Sequence, residues 1–215
     1  MSAAPNRDGA GVVAELAAAV AAEKARLSEI DGLIGDGDHG VNMAKGFGQA
    51  ARRVAGRDLT IGEALHELGD ELLGGIGGSM GPLYGSMFLD MGAAAEGRDA
   101  LDAPTVAAML RAGLDGVEAV GSAEVGDKTM LDCLAPAVDA FEGAAGQGLP
   151  AAVAAMAAAA RAGRDATVDL VARVGRSARL GERSRGVPDA GATSCCLILE
   201  TLGASLVARS SAPRT

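Results

Sequence analysis

From residue 10 to residue 207 the chain repeats one pattern: apolar side chains recur every three to four positions until a glycine-rich or charged break intervenes. That period is the signature of an amphipathic helix. Eight such blocks fall at 10–30, 41–55, 61–73, 81–96, 105–121, 128–144, 150–174 and 191–207. Thr60 with Glu63 has capping-box spacing, while Pro104 and Pro150 suit first helical turns. The seventh block contains Gly163 and is open to a break there. Its run PAAVAAMAAAARAG reads as packed helix, because Ala is the strongest helix former. Aromatics make up only 2% of residues, Trp is absent, and Ala, Gly, Leu and Val dominate, which favours close-packed helices over a strand-rich core. We therefore expect one all-α domain over 1–215, with flexible ends at 1–9 and 208–215.

The connections between blocks are of two kinds, and they alternate. DGLIGDGDHG, GGIGGSMGPLYG, SAEVGDKTM and GRSARLGERSRGVPDAGATS join blocks 1–2, 3–4, 5–6 and 7–8. The other three, AGRDLT, EGRDALDAP and EGAAGQGLP, are ordinary polar turns. Short links place consecutive helices antiparallel, so in an up-and-down bundle all four unusual loops emerge at one end. Four helix N-termini then point at one region, each with free N–H groups and a positive dipole end. That end is an anion-binding rim.

Asp31, Asp36 and Asp38 face the same rim. Their separations of five and two do not share a face of a continuous helix, but Gly32, Gly35 and Gly37 free the loop to turn all three carboxylates inward. Carboxylates beside a phosphate make sense only with a divalent cation between them, so the combination suggests a magnesium-bound polyphosphate. A solvated acidic turn or a calcium loop is the plainer reading, although the terminal glutamate of an EF-hand is missing. The N–H groups of Gly78, Ser79 and Met80 suit wrapping a phosphate, or the glycines serve tight packing; no Gly-Lys-Ser/Thr follows to make a Walker A loop. Lys128 either neutralises phosphate or pairs with Asp127 or Glu124. The densest basic run, Arg173, Arg176, Arg179, Arg183 and Arg185, offers an arginine to a nucleotide or docks on Glu182 and Asp189. His39 is a phosphate donor or a loop-fixing hydrogen bond, and His66 reads as structural.

A net charge of −9 and a pI near 4.7 argue against a nucleic-acid or anionic-membrane partner, both of which need a basic surface. No apolar run reads as a membrane span and the N-terminus lacks signal-peptide order, so a cytoplasmic location is expected. Cys133, Cys195 and Cys196 are odd in number and sit in apolar stretches, so they read as reduced core thiols.

Together DGLIGDGDHGVNM, GGSMGPLYGSMF, GDKTMLDCLAPA and GERSRGVPDAGATS resemble the nucleotide-binding L subunit, or L domain, of dihydroxyacetone kinases. The likeness keeps the motif order through nearly the whole chain. It implies an eight-helix antiparallel barrel with ADP or ATP held at one end through two Mg2+ ions. By motif, Asp31, Asp36 and Asp38 would be the metal ligands, with His39 beside them in the catalytic set. His39, Gly40, Val41 and Asn42 would meet the phosphates, joined by Gly78, Ser79 and Met80. Gly126 and Thr129 look like nucleotide contacts, and Arg176 with Asp189, Ala190 and Gly191 like the segment closing over the adenosine. Two departures stand out: the family usually reads Asp-Pro-Gly-Ala for DAGA here and GRASYLG for GRSARLG here.

The resemblance further implies phosphoryl transfer by positioning and electrostatics, from Mg-bound nucleotide to a short ketose held on a separate K subunit. Phosphotransferase-system coupling, with ADP as a retained cofactor rephosphorylated by a donor protein, is expected over free ATP exchange, and a homodimer is compatible. The alternatives are a kinase subunit for another small substrate such as erythrulose, a non-catalytic Mg-nucleotide module, a nucleotide domain whose partner handles a fatty acid, and a helical interaction protein with a calcium loop.

Overall fold

The computed structural model describes residues 3–211. Among them the elements are β1 (Ala4–Pro5), α1 (Gly9–Ala22), α2 (Lys24–Ile34), α3 (His39–Val54), α4 (Ile61–Gly75), α5 (Met80–Ala94), β2 (Ala100–Leu101), α6 (Ala103–Val120), α7 (Leu131–Ala144), α8 (Leu149–Ala166) and α9 (Ala190–Ser210). Short 3-10 turns occupy Ala145–Gln147, Thr167–Asp169 and Ser177–Ser184. The fold is all-α, with β1 and β2 forming a two-residue antiparallel clip.

From α3 onward each helix packs on the next, α1 packs on α3, and α9 returns to α1, so the order of contacts closes on itself. Inside the ring lie Leu, Val, Met and Ala side chains, with Phe47 and Phe88 meeting edge to face at 5.8 Å between centroids. Small residues set the close approaches. At Gly163 a Cβ would overlap the main-chain carbonyl of Asp132 on α7. That carbonyl lacks its helical partner because residue 136, four positions on, is a proline. Gly163 therefore does not break α8, as its sequence allows; it lets α8 press against α7.

Several boundaries differ from the sequence expectation. The first block is two helices, separated at Glu23 (φ −93°, ψ 4°), with no Gly or Pro to force the break. The cause is tertiary: the break lets α2 lean across the start of α3, where the Lys24 carbonyl sits on Gly40. The seventh block stops at Ala166 and not at 174, since the carbonyls of Thr167 and Leu170 are taken by a side chain from elsewhere. The expected flexible N-terminus is corrected for the described residues: Ala4–Pro5 pairs with Ala100–Leu101, and the Asn6 amide donates to the Arg98 carbonyl at 2.7 Å while accepting from Gly62 N–H. At the other end α9 runs through Ser210, and Arg209 binds Asp8 at 2.7 Å and Glu15 at 3.0 Å. Residues 1–2 and 212–215 lie outside the described residues.

One expectation about membranes also needs amending. By length and composition α9, at 21 residues, could span a bilayer. Its apolar surface is spent on the core instead, packed by α1, α2, α7 and α8, which is why it is hydrophobic on every side.

Candidate functional site

The four unusual loops do meet. The α2–α3, α4–α5, α6–α7 and α8–α9 connections line one cleft of about 560 Å³ at a single end of the ring, a size suited to a small-molecule ligand. Asp31, Asp36, Asp38, His39, Gly78, Ser79, Met80, Thr129, Arg176, Asp189, Ala190 and Gly191 all line it. Gly40, Val41, Asn42 and Gly126 do not. Gly40 is buried beneath α2, Val41 is exposed on the outside of α3, and the Asn42 N–H is already given to the Asp38 carbonyl. Gly126 gives its N–H to Asp132.

Asp31 lies in the last turn of α2, Asp38 just before α3, and Asp36 in the link between them. Gly37 at φ 77° permits the tight reversal that swings the three together. One carboxylate oxygen from each lies within 4.8 Å of the others. Three anionic oxygens at that spacing repel unless positive charge joins them, and an all-oxygen hard donor set suits Mg2+ better than a softer ion. The Arg176 guanidinium reaches across from the α8–α9 loop to pair with Asp36 and stands 3.8 Å from Asp38, an independent sign of how strongly this corner attracts cations.

At the far end of the ring α4 caps itself with the Thr60–Glu63 box, and α6 with Asp102 accepting from Thr105 N–H. At the cleft α3, α5 and α7 begin without a side-chain cap from the preceding residue. α9 is capped there by Asp189 accepting from Ala192 N–H at 2.7 Å, and the first N–H groups of α3 and α7 go to the Asp31 carboxylate at 3.3 Å and to Thr129 Oγ1 at 3.1 Å. Burial pushes the Asp189 carboxyl up to about 6, against the pull of that bond and of Lys128 nearby. The start of α5, which has no side-chain cap, is placed to offer N–H donors to an anion in the cleft.

His39 is buried, and its Nε2 meets Ser194 Oγ at 2.8 Å; Ser194 in turn meets the Tyr84 hydroxyl at 2.6 Å, which donates to the Gly191 carbonyl. Burial lowers the His39 pKa to about 4, with Asp31 opposing, so at neutral pH the ring is uncharged. Sequence reasoning missed Tyr84 and Ser194, although Tyr84 is the chain's only tyrosine. It also missed Asp132, whose two oxygens accept from Gly126 N–H at 2.6 Å and Thr129 N–H at 2.7 Å and so fold the α6–α7 loop. An acid three residues after Thr129 was the available signal. Lys128 forms neither of the expected pairs: it is buried, and its ammonium donates to the carbonyls of Thr167, Leu170 and Val187.

Residues 33–204 match the family model described as the DAK2 domain. The chain is 39% identical over 183 residues to the "PEP-dependent dihydroxyacetone kinase, ADP-binding subunit DhaL" of Escherichia coli, covering 84% of this chain and 87% of that one. It is 35% identical over 182 residues to the "PTS-dependent dihydroxyacetone kinase, ADP-binding subunit DhaL" of Lactococcus lactis, covering 83% and 86%. Against the "L-erythrulose 1-kinase" of Mycolicibacterium smegmatis it is 35% identical over 85% of its own length and 33% of the other's. Among solved structures, the dihydroxyacetone kinase of C. freundii in complex with AMP-PNP and Mg2+ superposes with a TM-score of 0.70 at 26% identity, covering 91% of this chain. This chain spans about a third of the length of that one, 33%.

Proposed function

The chain belongs to the DAK2-domain family, and from that premise we propose that it is the nucleotide-binding phosphoryl-transfer subunit of a dihydroxyacetone kinase, acting on a short ketose carried by a separate K subunit. The observation that carries this reading is the meeting of Asp31, Asp36 and Asp38 with the uncapped start of α5 in one cleft. The aspartates would hold two Mg2+ ions, which when bound neutralise phosphate charge. Ser79, Met80, Thr129 and Arg176 line the same cleft, where the Ser79 and Met80 N–H groups would orient the phosphates and Thr129 and Arg176 would contact the nucleotide. Neutral His39, fixed by Ser194, offers a hydrogen bond without adding charge. Chemistry of this kind rests on positioning and charge stabilisation, and no nucleophilic side chain is needed.

Coupling to a phosphotransferase-system donor, with ADP retained and rephosphorylated, is the favoured mode, supported by similarity to subunits named for PEP or PTS dependence over most of their length. The acceptor is dihydroxyacetone, with erythrulose the nearest alternative. A cytoplasmic location accompanies this reading. Support for a docked partner comes from the surface. Among the described residues the five exposed large apolar side chains, Leu33, Val41, Leu73, Val120 and Val125, all lie in the turns or loops next to the cleft.

The purified chain is to be denatured, its released small molecules identified by mass spectrometry and its metal assayed, and ketose phosphorylation then measured with and without a K subunit. Released ADP with about two Mg2+ per chain, and turnover only with the K subunit and a donor, is the expected result. An empty chain that gains no affinity for ADP or ATP on adding Mg2+ overturns the proposal. Val41→Glu with Val125→Glu is expected to cut K-dependent turnover about tenfold or more, as charges in a docking surface do. Mg·ADP affinity of the double variant, measured by calorimetry, is expected to stay as in the wild type.

A further inference from the structure

The loop from Thr167 to Asp189 is a strap: it leaves α8, carries Val174–Ser177 into the cleft, and returns to start α9. Its two limbs are joined at the neck from within, where Gly186 N–H donates to the Val168 carbonyl at 2.8 Å and Arg185 to the Asp169 carbonyl at 2.5 Å. Among the described residues Lys128, on the α6–α7 loop, is the side chain outside the strap that bonds both limbs. Its Nζ donates to Thr167 O at 2.5 Å and Leu170 O at 3.2 Å on the outgoing limb, and to Val187 O at 2.6 Å on the returning one.

An ammonium has three protons to give, and here all three have carbonyl acceptors. Lys128 is 1% exposed, and a charge that deep persists only when its donors are satisfied. Its backbone is held at φ 64°, a conformation that residues with a Cβ avoid unless their surroundings impose it. The imposing contacts are on the same loop: Asp132 grips Gly126 N–H and Thr129 N–H on either side of Lys128. Arg173 N–H adds a further tie to the Asp127 carbonyl at 3.2 Å. The cleft wall that carries Thr129 and the strap that carries Arg176 are thus joined through one buried side chain, which has no donor left for a ligand.

We propose that Lys128 is a positioning residue that ties the neck of the strap to the α6–α7 loop and thereby sets how long the strap keeps a nucleotide in the cleft. The proposal rests on the nucleotide reading of the cleft. A strap that opens to release ligand must be of low stability at its tip and anchored at its base, and Lys128 is the anchor.

The test is Lys128→Met in the full chain, followed by amide hydrogen exchange and by the dissociation rate of ADP in the presence of Mg2+. Exchange across 168–188 is expected to rise about tenfold or more while α3, α4 and α5 keep their protection, and ADP dissociation to accelerate about tenfold. Mg2+ binding measured without nucleotide, a readout of the three aspartates alone, is expected to change less than about twofold. Lys128→Asn, which tolerates the positive φ, is the second variant and is expected to behave alike. Unchanged strap exchange with unchanged ADP dissociation overturns the proposal. So does a rise in exchange throughout the chain, or failure of both variants to fold, since Lys128 would then support the whole core. A wild-type chain that does not bind Mg·ADP defeats the nucleotide reading of the cleft, while the strap's exchange still decides whether Lys128 is its tie.

Discussion

Asp36→Asn is expected to lower affinity for Mg·ADP by about a hundredfold or more while leaving the fold intact, and to raise the thermal midpoint slightly when no Mg2+ is present. The loss follows from removing one of three hard anionic donors whose oxygens lie within 4.8 Å of one another. Asn keeps the shape and one neutral oxygen, so what disappears is charge. The gain in midpoint follows from the same geometry, because two carboxylates repel less than three. Asp36 is the appropriate member of the set to change. Its side chain is 46% exposed and its ion-pair partner is Arg176 on the strap, whereas Asp31 also accepts from His39 N–H at 3.3 Å and helps to join α2 to α3. Calorimetric titration with Mg·ADP, beside thermal melts in Mg2+ and in chelator, reads both effects. Undiminished affinity would refute the metal assignment.

The parts of this site that could be read from sequence share one property: their meaning is local. Asp31, Asp36 and Asp38 fall within eight positions and are separated by glycines, so a turn that gathers them can be foreseen from spacing. Helix blocks could be read because Ala and Leu carry the period, and parity alone then brings the four loops to one end. The parts that escaped depend on partners far along the chain. Lys128 bonds to carbonyls 39 to 59 positions away, and a lysine beside two acids in sequence gives no hint of that. His39 and Ser194 are 155 positions apart. The break at Glu23 has no local cause, and it exists because α2 must cross α3. Long-range geometry also explains why Gly40, Val41, Asn42 and Gly126, each within three positions of a lining residue, do not line the cleft themselves.

Gly40 turns that distinction into a measurement. If its part were to give a backbone N–H to a phosphate, Ala would serve as well, since Ala keeps the N–H and favours the helix by about 1 kcal/mol over Gly. The structure gives it a different task. A Cβ at residue 40 would overlap the Lys24 carbonyl oxygen and lie 2.8 Å from both Ser28 N and Ser28 Oγ. Two of those atoms are main chain, so no rotamer change relieves the clash and α2 must move as a body. Overpacking of that kind costs about 3 kcal/mol, which for a chain of this size lowers the thermal midpoint by roughly 6–12 °C. Because α2 carries Asp31 and leads into Asp36 and Asp38, its displacement also spreads the carboxylates. Gly40→Ala is therefore expected to lose stability and Mg·ADP affinity together. An unchanged midpoint with unchanged affinity would show that α2 gives way freely, and the packing account of Gly40 would be wrong. A lower midpoint that Mg·ADP fully restores would mean that bound ligand can pull α2 back, which makes the seating of α2 on α3 part of how the site forms.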